Sequence, residues 1–437
     1  MTARALTRVG DPRVAPRPVR IAHLGLGGFF RAHGAWYTAH AADAEEWGIV
    51  GFSHRSHDLV DRMVAQDGLY TLTTRGAARD TIEVVPSIME AHPGSDTAAW
   101  RTVMADPATE VVTLTVTEAA YSLGPESVVD RVVDGLAARH AADAGPVTLV
   151  PCDNLAANGR LLEGRIRTMV ARRSGDLADW IDESVAVLDT VVDRITPRAT
   201  DADVVAAAAH GYLDAAPVVT EPFSEWILSG SFAAAHPDWE SAGAVIVDDP
   251  GPFVRRKLHL LNGAHSLLAY AGLLRGHEEI ASAAADPVLA DAVETWWDEA
   301  AATVGGDPPA LAAYRAALSE RFGNAKLDHR LAQIAVDGSV KLAARVVPVA
   351  RTERDSGRSA AAAAATIGAW IAYCRRVDDS LVDARRDEVL AAVRGRARTA
   401  IPRTVAVVDP DLADDDAFVR AVTEAVSRWR RSEPTTD

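Results

Sequence analysis

Apolar and polar positions follow two different rhythms along the chain. Before Pro250, short apolar runs alternate with amphipathic stretches; after it, apolar residues recur at helical spacing with almost no β-branched alternation. In the first part, the runs at 19–24, 48–52, 69–74, 81–88, 111–116 and 147–151 predict strands. Residues 32–43, 97–104, 127–141 and 160–173 predict helices between some of them, while 187–197 and 217–220 read as extended. The cluster Asp248-Asp249-Pro250-Gly251-Pro252 is a strong breaker and marks a boundary. The pattern therefore predicts an α/β domain over residues 1–249 and a mainly α-helical domain over 250–437.

The first run ends in Gly25-Leu26-Gly27-Gly28-Phe29-Phe30-Arg31. Strand, glycine turn and helix is the context in which glycines let backbone approach a pyrophosphate, and a helix N-terminus favours its charge. Gly25 and Gly27 occupy the first two fingerprint positions, but Phe30 stands at the third, so an ordinary strand-to-helix turn remains an alternative. After the second run comes Ser53-His54-Arg55-Ser56-His57-Asp58. Asp58 comes late to hold the ribose of NAD, and Arg55 would equally serve a 2′-phosphate, so NADP is not excluded. His54 and His57 have a metal-ligand spacing but no third ligand nearby. Two other runs close in polar clusters, Thr115-Val116-Thr117-Glu118 and Cys152-Asp153-Asn154. The carboxyl ends of parallel strands face the ligand crevice, which makes both clusters site candidates; helix capping is the alternative for each.

In the second part, Arg255-Arg256-Lys257-Leu258-His259-Leu260-Leu261-Asn262-Gly263-Ala264-His265 opens a leucine-rich helix. At about 100° per residue, Asn262 lies about 140° and His265 about 80° from Lys257, in a sector that also holds Leu258, Leu261 and Leu268. Polar groups embedded among leucines need partners or a task. The chain has only three lysines, Lys257, Lys326 and Lys341, among 45 basic residues. A desolvated lysine near other cations can act as a proton acceptor, which an arginine cannot. Lys257 is thus a candidate general base, with Asn262 and His265 holding a substrate hydroxyl. The alternative is a snorkelling lysine and a satisfied core histidine.

Composition narrows the field. At 437 residues and 48% hydrophobic content the chain suits two cores, and a formal charge of -16 argues against nucleic acid or an anionic membrane as partner. Two cysteines, Cys152 and Cys374, cannot form a disulfide framework or a four-cysteine zinc site and fit a cytoplasmic setting. Residues 1–18 lack the apolar segment of a secretory signal, and the uncharged run 359–374 is shorter than a bilayer requires.

Several separated stretches together resemble the mannitol dehydrogenase family of polyol-specific long-chain dehydrogenases, which includes fructuronate reductase (mannonate oxidoreductase), tagaturonate reductase and arabinitol dehydrogenase. They are Gly25 to His33, Thr115 to Tyr121, Cys152-Asp153-Asn154-Leu155, Val192-Asp193-Arg194-Ile195-Thr196-Pro197 and Glu221-Pro222-Phe223. Lys257-x4-Asn262-x2-His265 and the stretch His329-Arg330-Leu331 through Asp337-Gly338-Ser339-x-Lys341 complete the set. The resemblance implies a Rossmann-type dinucleotide-binding domain followed by a mainly α-helical substrate domain, and a metal-independent, NAD-dependent oxidoreductase acting on a sugar alcohol or aldonate. It implies Lys257 as general base, Asn154 and Asn262 flanking the reacting oxygen, and His265 placing the substrate in an interdomain cleft. Gly25, Gly27, Gly28, Phe29, Thr117 and Glu118 are the expected cofactor contacts, and Arg330 and Lys341, with Asn154, the expected substrate contacts. Phe30 departs from an expected histidine and Val187 from the usual Phe or Ser. A D-mannitol/D-fructose reaction leads, with D-mannonate oxidation as the alternative. A dehydrogenase of phosphorylated polyols and a non-catalytic NAD(H) sensor are the lesser ones. Oligomeric state is not legible.

Overall fold

The computed structural model describes residues 3–9, 12–54, 57–116, 118–171 and 175–431, without the side chains of Pro12, Glu118 and Ala119. The chain divides into two compact units, Met1–Pro250 and Gly251–Asp437.

Six parallel strands organise the first unit: β1 (Val19–Leu24), β2 (Gly48–Phe52), β3 (Ile88–His92), β4 (Val111–Leu114), β5 (Val147–Pro151) and β6 (Val185–Val187). Their spatial order, β3-β2-β1-β4-β5-β6, is that of a doubly wound dinucleotide-binding sheet. Both faces are covered, which is why these strands read as continuous apolar runs rather than as alternation. Ile21, Ile49, Val111 and Val150 belong to the core on one face, and Ala22, Val50, Val112 and Leu149 to the core on the other. Two three-stranded sheets, one from Val218–Thr220, Tyr70–Arg75 and Asp80–Val85, the other from Asp189–Asp193, Glu225–Ser229 and Val245–Val247, and a two-stranded pair of Arg4–Ala5 with Tyr212–Leu213 accompany the main sheet.

Two elements of the first unit differ from the sequence expectation. The run at 81–88 is two strands: Asp80–Val85 pairs antiparallel with Tyr70–Arg75, whereas Ile88 begins β3 of the main sheet. Pro86, which has no N–H to give a ladder, and Ser87, whose hydroxyl donates to Ala35 O at 2.7 Å, separate them. The helix expected at 32–43 starts earlier, as α1 (Gly28–Ala32), breaks at His33 (φ −121°, ψ −91°) and resumes at Gly34–His40. The break follows the Phe30 ring, which packs so close to Gly34 that a Cβ there would lie 2.9 Å from it.

The second unit is helical, as expected. Its central helix, buried along nearly its whole length, is preceded by a wider winding described below. The alanine run forms the buried helix Ala361–Val377, where small residues permit close approach: a Cβ on Gly368 would come 2.6 Å from Ala425 of Asp416–Arg431. Among the described residues no helix is long and apolar enough to cross a membrane, and no three His, Cys, Asp or Glu side chains cluster as a metal site would need.

Candidate active site

In the first unit, backbone geometry does the positioning. Gly25 turns the chain at the end of β1 with φ +105°, and a Cβ there would stand 2.0 Å from Thr115 O. Only glycine fits. Its N–H and that of Leu26 both donate to Phe52 O at 2.9 Å, tying the turn to β2. Gly27 and Gly28 would meet nothing closer than 3.5 Å, so their packing is looser. Phe30, in place of the third glycine, is buried with its ring stacked on His23 at 3.2 Å. It therefore fills the space where strand and helix pack.

The family-like motifs downstream act as braces on this turn. Arg31 donates to Gly27 O at 3.2 Å and Ala216 O at 2.5 Å; Arg194 donates to Ala32 O at 2.5 Å and lies over the Trp36 ring. Ile195 N–H donates to the buried Glu221 carboxylate at 2.6 Å. Val187 pairs with Leu149 in the sheet, a packing role.

A cavity of about 360 Å³ opens at the carboxyl ends of β1, β2 and β4, lined by Gly25, Ser53, His54, Val116 and Arg131. In this strand order it lies where a dinucleotide's adenosine half belongs. A second cavity of about 570 Å³ adjoins Gly28 and Phe29 and carries Arg62, Thr196 and Arg198. Thr117, Arg55 and the Glu118 side chain lie outside the described residues. Asp58 pairs with Arg62 in the first turns of its own helix.

Sequence reasoning missed a lock that joins β4 to β5. The buried Asp153 carboxylate accepts hydrogen bonds from Val116 N–H and the Tyr121 hydroxyl. Burial pushes its pKa up to about 6, against the pull of those two donors. Asn158, wholly buried, donates to Pro151 O, Asp153 O and Thr190 Oγ1 and accepts from Thr190 N–H. Between these two anchors Asn154 stands exposed just beyond β5. Its capping alternative falls away, because α2 (Asn158–Val170) has Ala157 at its N-cap. The partners of Asp153 lie 32 and 37 residues away in sequence, which no local signal reveals.

In the second unit, the winding does the positioning. The expected α-helix is continuous, but Arg256–Asn262 is a π-helix that passes into α3 (Gly263–Leu274). π-Helical turns recur at functional sites. Five residues on an α-helix leave Lys257 and Asn262 about 140° apart; with bonds running i→i+5 they become neighbours across one turn. Lys257, Asn262 and His265 are all buried, at 8%, 8% and 7% exposure. Arg256 instead lies over the rings of Tyr314 (4.3 Å) and Phe253 (5.0 Å).

The surroundings keep the histidines neutral. Burial, then His329, Arg321 and Arg345, hold His265 well below the usual imidazole range, and burial takes His329 down to about 4. The two rings meet edge to face at 5.2 Å, and His265 Nε2 is buried with no hydrogen-bond partner among the described residues. Arg345 reaches Asn262 O and Ser266 Oγ at 3.3 Å each. Lys341 donates to Ile334 O at 3.1 Å, its pKa lowered by burial and then by Arg345. Arg330 is not brought into this cluster: its guanidinium pairs with Glu278 at 2.9 Å and Asp328 at 3.0 Å, half exposed, so its charge is already balanced. Arg345, by contrast, stands at Asn262.

Such a set can hold a hydroxyl, take its proton and stabilise charge on its oxygen. Comparison with known proteins agrees in kind. The family descriptions "Mannitol dehydrogenase Rossmann domain" and "Mannitol dehydrogenase C-terminal domain" match residues 19–241 and 249–429. D-mannonate oxidoreductase of Escherichia coli (strain K12) is 33% identical, with 93% of this chain and 92% of that protein covered. Mannitol 2-dehydrogenase of Aspergillus fumigatus (strain CBS 144.89 / FGSC A1163 / CEA10) is 30% identical, covering 93% and 90%. The solved ternary complex of Pseudomonas fluorescens mannitol 2-dehydrogenase with NAD and D-mannitol superposes with a TM-score of 0.84 at 28% identity, over 98% of this chain and 94% of that one.

Proposed function

The chain belongs to the mannitol dehydrogenase family, and from that premise we propose that it interconverts a secondary alcohol of an acyclic polyol or aldonate with the corresponding keto sugar, using NAD and a lysine general base. The carrying observation is the π-helical turn that brings buried Lys257 and Asn262 to one face, with the neutral His265 beyond them.

The glycine turn and the cavity at the carboxyl ends of β1, β2 and β4, which Gly25 lines, suit a dinucleotide; Gly28 and Phe29, on the second cavity, and Gly27 are the further contacts this reading assigns to it. NAD, when bound, supplies the hydride acceptor. Lys257 takes the proton of the substrate hydroxyl and becomes a cation beside the oxygen on which negative charge grows. The amide of Asn262 donates to that oxygen as its charge develops, a role the family likeness assigns to Asn154 as well. His265, neutral and with Nε2 unpaired among the described residues, orients a neighbouring hydroxyl. In the reductive direction Lys257, as ammonium, returns the proton to the carbonyl oxygen.

The D-mannitol/D-fructose reaction is the leading case, and one observation favours the aldonate reading beside it. Arg345 has no carboxylate at ion-pair distance among the described residues and is held at the Asn262 carbonyl. A planar guanidinium so placed is suited to a substrate carboxylate. Initial rates of NADH formation on D-mannitol, D-arabinitol, D-mannonate, D-altronate and mannitol 1-phosphate, with NADP in parallel, test the proposal. Turnover of polyols or aldonates supports it and tells the two apart. Turnover of the phosphate ester alone, or NADH binding without any turnover, contradicts it.

A further inference from the structure

The π-helical turn needs a cause, because an ordinary α winding of the same residues would satisfy every amide. At its end Gly263 N–H donates five residues back, to Leu258 O, and also to Leu260 O. In an α winding that N–H would go to His259 O. The carbonyl thus released is buried and would be costly to leave unpaired. The next helix but one supplies its partner: on α4 (Pro287–Val304) the Trp296 indole N–H donates to His259 O at 2.8 Å, and the adjacent Trp297 N–H donates to Leu260 O at 3.0 Å. Both tryptophans are wholly buried, at 0% and 1% exposure. On the same helix Thr303 Oγ1 holds His259 Nδ1 at 2.6 Å.

Gly263 completes the arrangement. Its φ of −66° is ordinary for a helix, so conformational freedom does not explain a glycine among leucines. A Cβ there would stand 2.3 Å from the Trp296 ring. The glycine lets the indole lie against the backbone.

We propose that Trp296 is a positioning residue for proton transfer, its indole N–H replacing the Gly263 amide at His259 O and so holding the π register that keeps Asn262 one turn from Lys257. The inference rests on the reading of Lys257 as general base. Without that N–H, rewinding to the α register restores a partner to His259 O and carries Asn262 round to about 140° from Lys257. Fold is retained and alignment is lost. Trp297 matters less, because Leu260 O keeps the Gly263 N–H.

The test compares Trp296→Phe, Trp297→Phe, Gly263→Ala and Lys257→Ala in kcat, KM, the pH profile of kcat, and melting temperature. Trp296→Phe is expected to lower kcat on the order of tenfold to a hundredfold with KM changed less than about threefold, and to move the pH midpoint of kcat. Gly263→Ala, which displaces the ring, should reproduce this, and the double variant should be no worse than either single one. Trp297→Phe should lose less. Losses that track melting temperature in all three, or a Trp296→Phe that keeps its kcat while Lys257→Ala loses rate, would overturn this inference alone. Retention of rate by Lys257→Ala would overturn the base assignment and this inference with it.

Discussion

The two units put chemistry in place by different devices. In the first, the backbone carries the geometry: a glycine at φ +105° against Thr115 O, and an exposed Asn154 on a loop held at both ends by Asp153 and Asn158. In the second, the candidate residues are buried side chains on or just after a π-helical turn, and on the proposed reading their alignment depends on how tightly that helix is wound. A site built on backbone tolerates changes of side chain but not an added Cβ. One built on winding register depends on hydrogen bonds arriving from a neighbouring helix.

Gly25→Ala should break the first device most severely. The added Cβ clashes with Thr115 O, and the positive φ is strained for alanine, a combined cost of about 3 kcal/mol or more. Titration of NADH fluorescence is expected to show binding lost, alongside a marked drop in melting temperature; unchanged affinity would mean that the turn does not hold the cofactor. Asn262→Ala sharpens the contrast. Losing one donor to a developing oxyanion costs about 10²- to 10³-fold in kcat, while NADH affinity and melting temperature should stay close to those of the parent. An equal fall in NADH affinity would erase the distinction.

Smaller effects separate the units by the sign of their pH dependence. Asp153 has its pKa raised in the fold to about 6, so its contribution to stability is full below its ordinary carboxylate pKa and is lost as pH rises through about 6. The melting temperature of Asp153→Asn relative to the parent should therefore climb between about pH 4 and pH 7; a flat difference would refute the buried acid. His329 is shifted the other way, to about 4, so its contribution is present above the ordinary imidazole pKa and is lost as pH falls through about 4. His329→Gln should gain on the parent only on the acid side. The opposite slope would mean that the imidazole is charged in the fold.

The contrast also explains what the sequence made legible. The β-branched runs at β1, β2, β4 and β5 and the glycine after β1 declare themselves locally, because a strand buried on both faces has to be apolar throughout. The Asp153–Tyr121–Val116 lock stayed hidden, since its partners meet only after the sheet forms. Lys257, Asn262 and His265 were legible as polar residues among leucines, but the α template left two of them about 140° apart. Gly263 within a leucine-rich helix and the Trp296-Trp297 pair were the available signals, and they acquire meaning only when the two helices are seen together. Arg330 was an expected substrate contact because of its motif, yet Glu278 and Asp328 pair with it, a balance that its motif does not reveal.

The most direct test of the central claim is the pH dependence of kcat/KM for NAD-linked alcohol oxidation by the parent enzyme and by Lys257→Ala, on the best substrate of the panel. With Lys257 as base, the parent profile rises with pH through one ionisation, and Lys257→Ala loses about 10²- to 10⁴-fold together with that ionisation. A variant that keeps both the parent's rate and the parent's profile would show that the proton goes elsewhere.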